Sequence, residues 1–204
     1  MNFRRTIGAL LFVGNAQFVT LLMVAETQYA GYSIKLNYIS DLGVWSRASA
    51  YIFNPSVFLM GLLSLVAGYL ILSRLGWKSQ GILIIIAALG SIGVGIFNET
   101  IIIPHSIFAI MAFIGGALAG IMFVRRLNGF LGYMGFVLGV VSLLALGLFG
   151  TGHFLGLGVG GMERMIVYPQ IAFTLALGGY FLAKPTDSTI VQPEIAKDER
   201  IGVS

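Results

Sequence analysis

Ten residues of this chain are of types that could do chemistry, and they fall in three stretches: Glu26, Ser40, Asp41 and Asn54; then Asn98, Glu99 and His105; then His153, Glu163 and Arg164. Carboxyl and imidazole groups exchange protons near neutral pH, so Asp41, Glu99, His105 and His153 are the candidates for acid and base work, and all ten are candidates for binding a ligand. Arg164 would hold a carboxylate or an anionic headgroup. Two histidines and a carboxylate could hold zinc, but neither H-E-x-x-H nor a comparable spacing occurs, so no metal is expected. Ser40-Asp41 with a histidine could suggest nucleophilic hydrolysis, yet no nucleophile-elbow sequence surrounds Ser40. Nothing points to an organic cofactor.

These groups must be positioned by an unusual chain. Of its 204 residues 57% are hydrophobic and 10% charged, and the mean hydropathy is +0.93, which excludes an ordinary soluble domain. Apolar runs near the roughly 20 residues needed to cross a bilayer recur from end to end. They predict an all-α membrane protein, a bundle of six transmembrane helices at about 6–25, 52–72, 81–98, 105–124, 130–149 and 163–183. Residues 1–184 form this transmembrane domain, and the polar stretch 185–204, with Pro185 and Pro193, reads as a disordered tail. The opening Met1-Asn2-Phe3-Arg4-Arg5 could begin a signal peptide, but the apolar segment after it is long, contains Asn15 and Gln17, and lacks a small-x-small cleavage site, so a retained helix is expected. With no Cys in the chain, neither disulfides nor thiolate metal sites are available.

The cations give the orientation. With six spans and an inner N-terminus, the inner side receives Arg4, Arg5, Arg74, Lys78, Arg125, Arg126, Lys184, Lys197 and Arg200, and the outer side only Lys35, Arg47 and Arg164. Nine against three predicts cytoplasmic termini in a multi-pass protein of the cell membrane. The same topology places every carboxylate before the tail, Glu26, Asp41, Glu99 and Glu163, at outer helix ends or in outer loops, together with both histidines. Either they are solvated caps, Glu163 by favouring the dipole at the start of the last helix, or they converge into one outward polar pocket. Arg164 stands on the side that cations avoid, so a partner among Glu26, Asp41 and Glu99, or an anionic headgroup, is expected for it.

Other signals are structural. Gly116 with Gly120 and Gly135 with Gly139 form G-x-x-x-G pairs, and Gly90 lies close to Gly93, all marking close helix contacts. Gly156-Leu157-Gly158-Val159-Gly160-Gly161 fits G-x-G-x-x-G but lacks a strand before it, so it reads as a flexible loop. Asn98-Glu99-Thr100 fits a glycosylation acceptor too near a helix end for modification. The basic residues sit at helix ends without interleaved aromatics, so nucleic acid is not an expected partner.

The strings Ile39-Ser40-Asp41-Leu42-Gly43 and Glu163-Arg164-Met165-Ile166-Val167-Tyr168-Pro169, with Phe53-Asn54-Pro55, Phe97-Asn98-Glu99 and His105 between them, resemble the prokaryotic membrane family called domain of unknown function 998. The likeness runs through nearly the whole chain up to Lys184 and implies the six-span topology, but no activity. The Ile-Ser-Asp-Leu-Gly loop is also similar to the Ile-Ser-Asp-x-Gly loop of six-helix proteins of the DRAM and post-GPI-attachment group, which implies membrane lipid handling.

Three functions compete. The first is binding, or modification, of a membrane lipid or lipid-linked glycan in the outward pocket. The second is a non-catalytic subunit or assembly factor that meets other membrane proteins through its glycine faces and outer loop. The third, a small-solute transporter, rests on Asn15, Gln17 and Asn98 as intramembrane polar groups and lacks a mid-membrane charge.

Overall fold

A computed structural model describes residues 2–183, and within them every long element is an α-helix: α1 (Phe3–Thr27), α2 (Ala50–Arg74), α3 (Lys78–Ile96), α4 (Ile102–Phe123), α5 (Phe130–Gly150) and α6 (Gly158–Ala183). All six are long and apolar enough to cross a membrane. They are hydrophobic around most of their circumference, because a helix in lipid buries no polar face. Side chains such as Tyr69, Ile103, Phe130 and Leu144 are exposed on the outside of the bundle, where acyl chains would cover them. The expected tail, 185–204, lies outside the described residues.

The helices form a ring. Each packs on its neighbours in sequence, and α6 returns to pack on α1, with a lesser contact between α4 and α6 across the middle. Glycine sets the spacing: a Cβ at Gly90 would lie 2.3 Å from Ala112 N, and one at Gly8 2.7 Å from Gly178 O. Three of the four glycines of the G-x-x-x-G pairs sit at such contacts, Gly120 against Gly135 across α4 and α5, and Gly139 against Ala117. Van der Waals contact between bare backbones is what joins helices in a medium as apolar as their own side chains. Near the N-terminal end, Ile7, Leu11, Ile71, Phe123 and Phe181 fill the ring. At the other end, Phe18, Leu22, Ile39, Leu42 and Phe53 do so.

Some boundaries differ from the sequence reading. α1 begins at Phe3 because the Asn2 side chain accepts the Arg4 and Arg5 amides, at 3.2 and 3.4 Å, and so caps it. α4 begins at Ile102, ahead of Pro104 in its first turn, where proline is tolerated. The largest correction is α6, which starts at Gly158 instead of Glu163. The Gly-rich stretch expected to be loop is its first turn, and Glu163 stands more than a turn inside the helix instead of capping it.

Candidate functional site

The loops 28–49, 97–101 and 151–157 gather at the end of the ring opposite the N-terminus, and the first of them folds as a roof. Gly158, at φ +75°, and Gly160 have no side chains where the loop crosses α6; a Cβ on Gly160 would meet Asn37 O at 1.8 Å, and one on Gly158 Lys35 O at 2.0 Å. The glycines are therefore a seat for the loop backbone. Two residues beyond Asn37, Ile39 donates its N–H to Glu163 Oε2 at 2.5 Å.

Each residue of the Ile-Ser-Asp-Leu-Gly string then has a distinct job. Ile39 and Leu42 are buried in the distal core. Ser40 opens a short 3₁₀ turn (Ser40–Gly43), and its hydroxyl donates to Glu99 Oε2 at 3.0 Å. Asp41 accepts the Tyr38 amide at 2.9 Å and the Asn37 side chain at 3.1 Å, while Arg47 donates to its carbonyl at 2.6 Å. Leu42 O accepts the Ser49 hydroxyl at 2.9 Å. Gly43 leaves room for Asn54, whose Nδ2 donates to Gly43 O at 2.8 Å and whose Oδ1 would lie 2.6 Å from any Cβ there.

Arg164 is only 6% exposed. Its Nη2 donates to Glu26 Oε1 at 2.6 Å and to the Tyr32 hydroxyl at 2.7 Å, and its Nη1 to Gly160 O at 3.0 Å. Of the partners expected for it, Glu26 is the one it has. These bonds turn the guanidinium towards α1 and the loop, so of the two alternatives expected for Arg164 the carboxylate partner is the one found here. Tyr32 in turn donates to Tyr38 O at 3.2 Å, and burial pushes its hydroxyl up to about 12, so it stays a neutral donor. One ion pair thus ties α1, the roof and α6 together.

Glu99 lies beside Asp41, and burial, followed by the hydrogen bond and the repulsion between the two carboxyls, pushes it up to about 7. Glu99 therefore keeps its proton to higher pH than a free carboxyl group does. His105 is held by a 2.8 Å contact from Nδ1 to Phe97 O; a carbonyl only accepts, so Nδ1 carries hydrogen and Nε2 is free to act as the base. The structure thus brings Ser40, Asp41, Glu99, His105 and Glu163 to one place, with Glu26 and Arg164 beside them. It does not bring in the others. His153 is exposed on the 151–157 loop, bonded to Thr151 Oγ1 at 3.1 Å. Asn98 caps the turn before α4 by accepting from Thr100 at 2.9 and 2.6 Å, and Asn54 holds Gly43. Among the described residues no group of three or more His, Cys, Asp or Glu side chains is placed to hold a metal ion.

Below the roof lies a cavity of about 140 Å³, walled by every helix except α5. Its sides are mostly apolar, with Phe18, Phe53, Val57, Ile84, Phe113 and Val167 among them, and Ser40, His105 and Glu163 stand at its distal end. Polar groups also line it further in: Asn15, Ser64, Ser91, Gln170 and Thr174. Of these the sequence reading singled out only Asn15. Gln170 donates to Phe113 O at 2.9 Å and to Ser142 Oγ at 2.7 Å, and its Oε1 lies where Gly116 lacks a Cβ, 1.9 Å from where one would stand. A glutamine in the middle of a spanning helix was the signal that could have found it.

Six spans in a closed ring, five of them walling a cavity beneath the 28–49 loop, define a multi-pass helical membrane protein with a candidate binding site inside the bundle. Residues 12–180 match the family model described as "Protein of unknown function (DUF998)", and the chain belongs to that family. No curated protein and no solved structure matches it. The second likeness, to the DRAM and post-GPI-attachment group, therefore gains no support.

Proposed function

We propose that this protein binds an amphiphilic molecule of the membrane, a lipid or a lipid-linked glycan, with the apolar part next to its head in the central cavity and the head at Ser40, His105 and Glu163. The observation that carries this reading is the cavity itself: a space with apolar sides and a polar distal end, covered by a roof that Glu163 and Glu99 hold in place. Its volume of about 140 Å³ is close to the roughly 150 Å³ that admits a benzene ring. About six carbons of the ligand would therefore sit inside, the remainder staying in the bilayer or beyond the roof. The excess of Lys and Arg at the N-terminal end supports cytoplasmic termini, so that the roof faces outward.

Should the ligand react, His105 Nε2 and the Asp41–Glu99 pair are the groups able to move a proton, and the reading needs no other. The test is native mass spectrometry of the protein released from its membrane, wild type against Ser64→Leu. Ser64 lines the cavity and makes none of the hydrogen bonds that hold the fold, so leucine there fills space without removing a partner. A retained amphiphile that disappears in a folded Ser64→Leu protein supports the proposal. The same bound molecules in both proteins, or none in either, overturn it.

A further inference from the structure

The hydrogen-bonding sense of the cavity lining is one-sided, and this restricts what its ligand can be. Most of the groups that could donate into the cavity are already turned to the protein. Asn15 Nδ2 donates to Leu11 O at 2.8 Å, Ser91 Oγ to Ala87 O at 3.1 Å and Thr174 Oγ1 to Gln170 O at 2.8 Å. Gln170 spends Nε2 on Phe113 O and Ser142, Ser40 Oγ donates to Glu99, and His105 bonds Phe97 O through Nδ1. Apart from the second Nδ2 hydrogen of Asn15, deep in the cavity, what these groups retain is acceptor capacity: carbonyl oxygens of the amides, hydroxyl lone pairs and, in the neutral ring, His105 Nε2. Ser64 alone keeps a hydroxyl proton to offer.

Charge points the same way. Glu163 lines the distal end of the cavity, while no Lys or Arg among the described residues lines it. The two guanidiniums nearby have partners elsewhere, Arg164 with Glu26 at 2.6 Å and Arg47 with Asp41 at 4.0 Å. An anionic head at the distal end would thus meet acceptors and a carboxyl group, with no cation and no free donor beside it to replace its lost water, which is strongly unfavourable in a buried site.

We infer that the cavity selects a ligand whose head donates hydrogen bonds, a hydroxyl or an ammonium group, to Glu163, His105 and Ser40, and rejects phosphate and carboxylate heads. This rests on the proposed function and names its ligand class. It also separates two kinds of specificity. The apolar wall rewards any six-carbon segment, whereas the acceptors at its distal end distinguish heads, because a buried acceptor left without a donor costs more than a missing methylene.

The experiment uses four probes with the same six-carbon chain, chosen to fit the cavity: 1-hexanol, 1-hexylamine, hexanoate and hexyl phosphate. Binding to the full chain in lipid nanodiscs is measured by saturation-transfer NMR, and the part that Ser64→Leu abolishes is taken as cavity binding. The alcohol, the amine or both should bind at least tenfold more tightly than either anion. Glu163→Gln, which keeps an acceptor for Ile39, tells the two heads apart: amine binding falls about tenfold where an ammonium is recognised, and alcohol binding holds where a hydroxyl is. An anion that binds in the cavity as tightly as the alcohol and amine overturns the inference and leaves the cavity reading standing. If Ser64→Leu changes the binding of none of the four, the cavity reading falls, and the inference with it.

Discussion

Glu163 accepts the backbone N–H of Ile39 at 2.5 Å, joining positions 124 residues apart in sequence. Both residues are buried, and the bond fixes the register of the roof: with Ile39 held on α6, Ser40 falls opposite Glu99 and Leu42 enters the core. The partner is a backbone amide, so this bond itself does not depend on which side chain stands at position 39.

Removing that acceptor should be costly, and replacing it cheap. Glu163→Ala leaves the Ile39 amide buried without a partner, a loss of about 1–3 kcal/mol, whereas Glu163→Gln keeps an oxygen there and should lose less. Thermal unfolding in detergent measures both; equal losses would show that the amide finds another acceptor.

The Arg164–Glu26 pair should behave as a buried pair. Arg164 is nearly inaccessible and Glu26 only partly exposed, with side-chain exposures of 7% and 20%. Arg164→Met alone should cost about 3–5 kcal/mol by stranding a carboxylate, and Glu26→Gln in the same chain should restore part of it. A double-mutant cycle measures the coupling. Additive losses would place the stabilisation in the Tyr32 and Gly160 contacts instead.

Glu99 gives stability a pH dependence of definite sign. Its carboxyl is raised from 4.5 to about 7, so between these values the folded protein holds a proton that the unfolded chain has released. Its contribution is complete below pH 4.5, declines as pH rises, and is gone above about 7. Wild type minus Glu99→Gln, followed as a thermal midpoint from pH 4 to pH 8, should show this decline. A flat difference would mean that the Glu99 carboxyl is not raised in the folded protein.

The glycine seat makes a spatially sharp prediction. Gly160→Ala would drive a methyl group against Asn37 O and Ile34 O, at 1.8 and 2.5 Å, and should cost about 1–3 kcal/mol or more, as overpacking does. It should also expose the 28–49 loop to protease. Gly147→Ala, where a Cβ meets nothing within 4 Å, should be neutral or gain up to about 1 kcal/mol from helix propensity. Similar effects at the two positions would show that the loop does not rest on α6.

The spans were legible because crossing a bilayer demands long apolar runs, and a partner for Arg164 was legible because a lone cation on the cation-poor side needs one. The start of α6 was not. Glycines at positions 156–161 look like a loop when read locally; they are helical from Gly158 because another segment lies against them, a fact stored some 120 residues earlier in the Lys35–Ile39 backbone. His153 shares an end of the bundle with the site, yet the turn that follows α5 directs it outward, and no spacing rule distinguishes it from His105. The cavity was hidden for a different reason. Ala88, Ala112 and Gly116 are small residues of the type that joins helices, and only the assembled ring shows that they also border empty space.

Closure of that ring by α1 and α6 has a consequence for how the protein is made. Synthesis delivers the first helix long before the last, so until α6 has left the ribosome the cavity lacks one of its walls and is open along that side. The roof lacks its seat, its Glu163 anchor and its Arg164 clamp for the same interval. Binding competence should therefore arrive in one step with insertion of the final helix, and a chain stalled before it would present its inner surface, Asn15 included, to the lipid and to whatever factors attend unfinished membrane proteins.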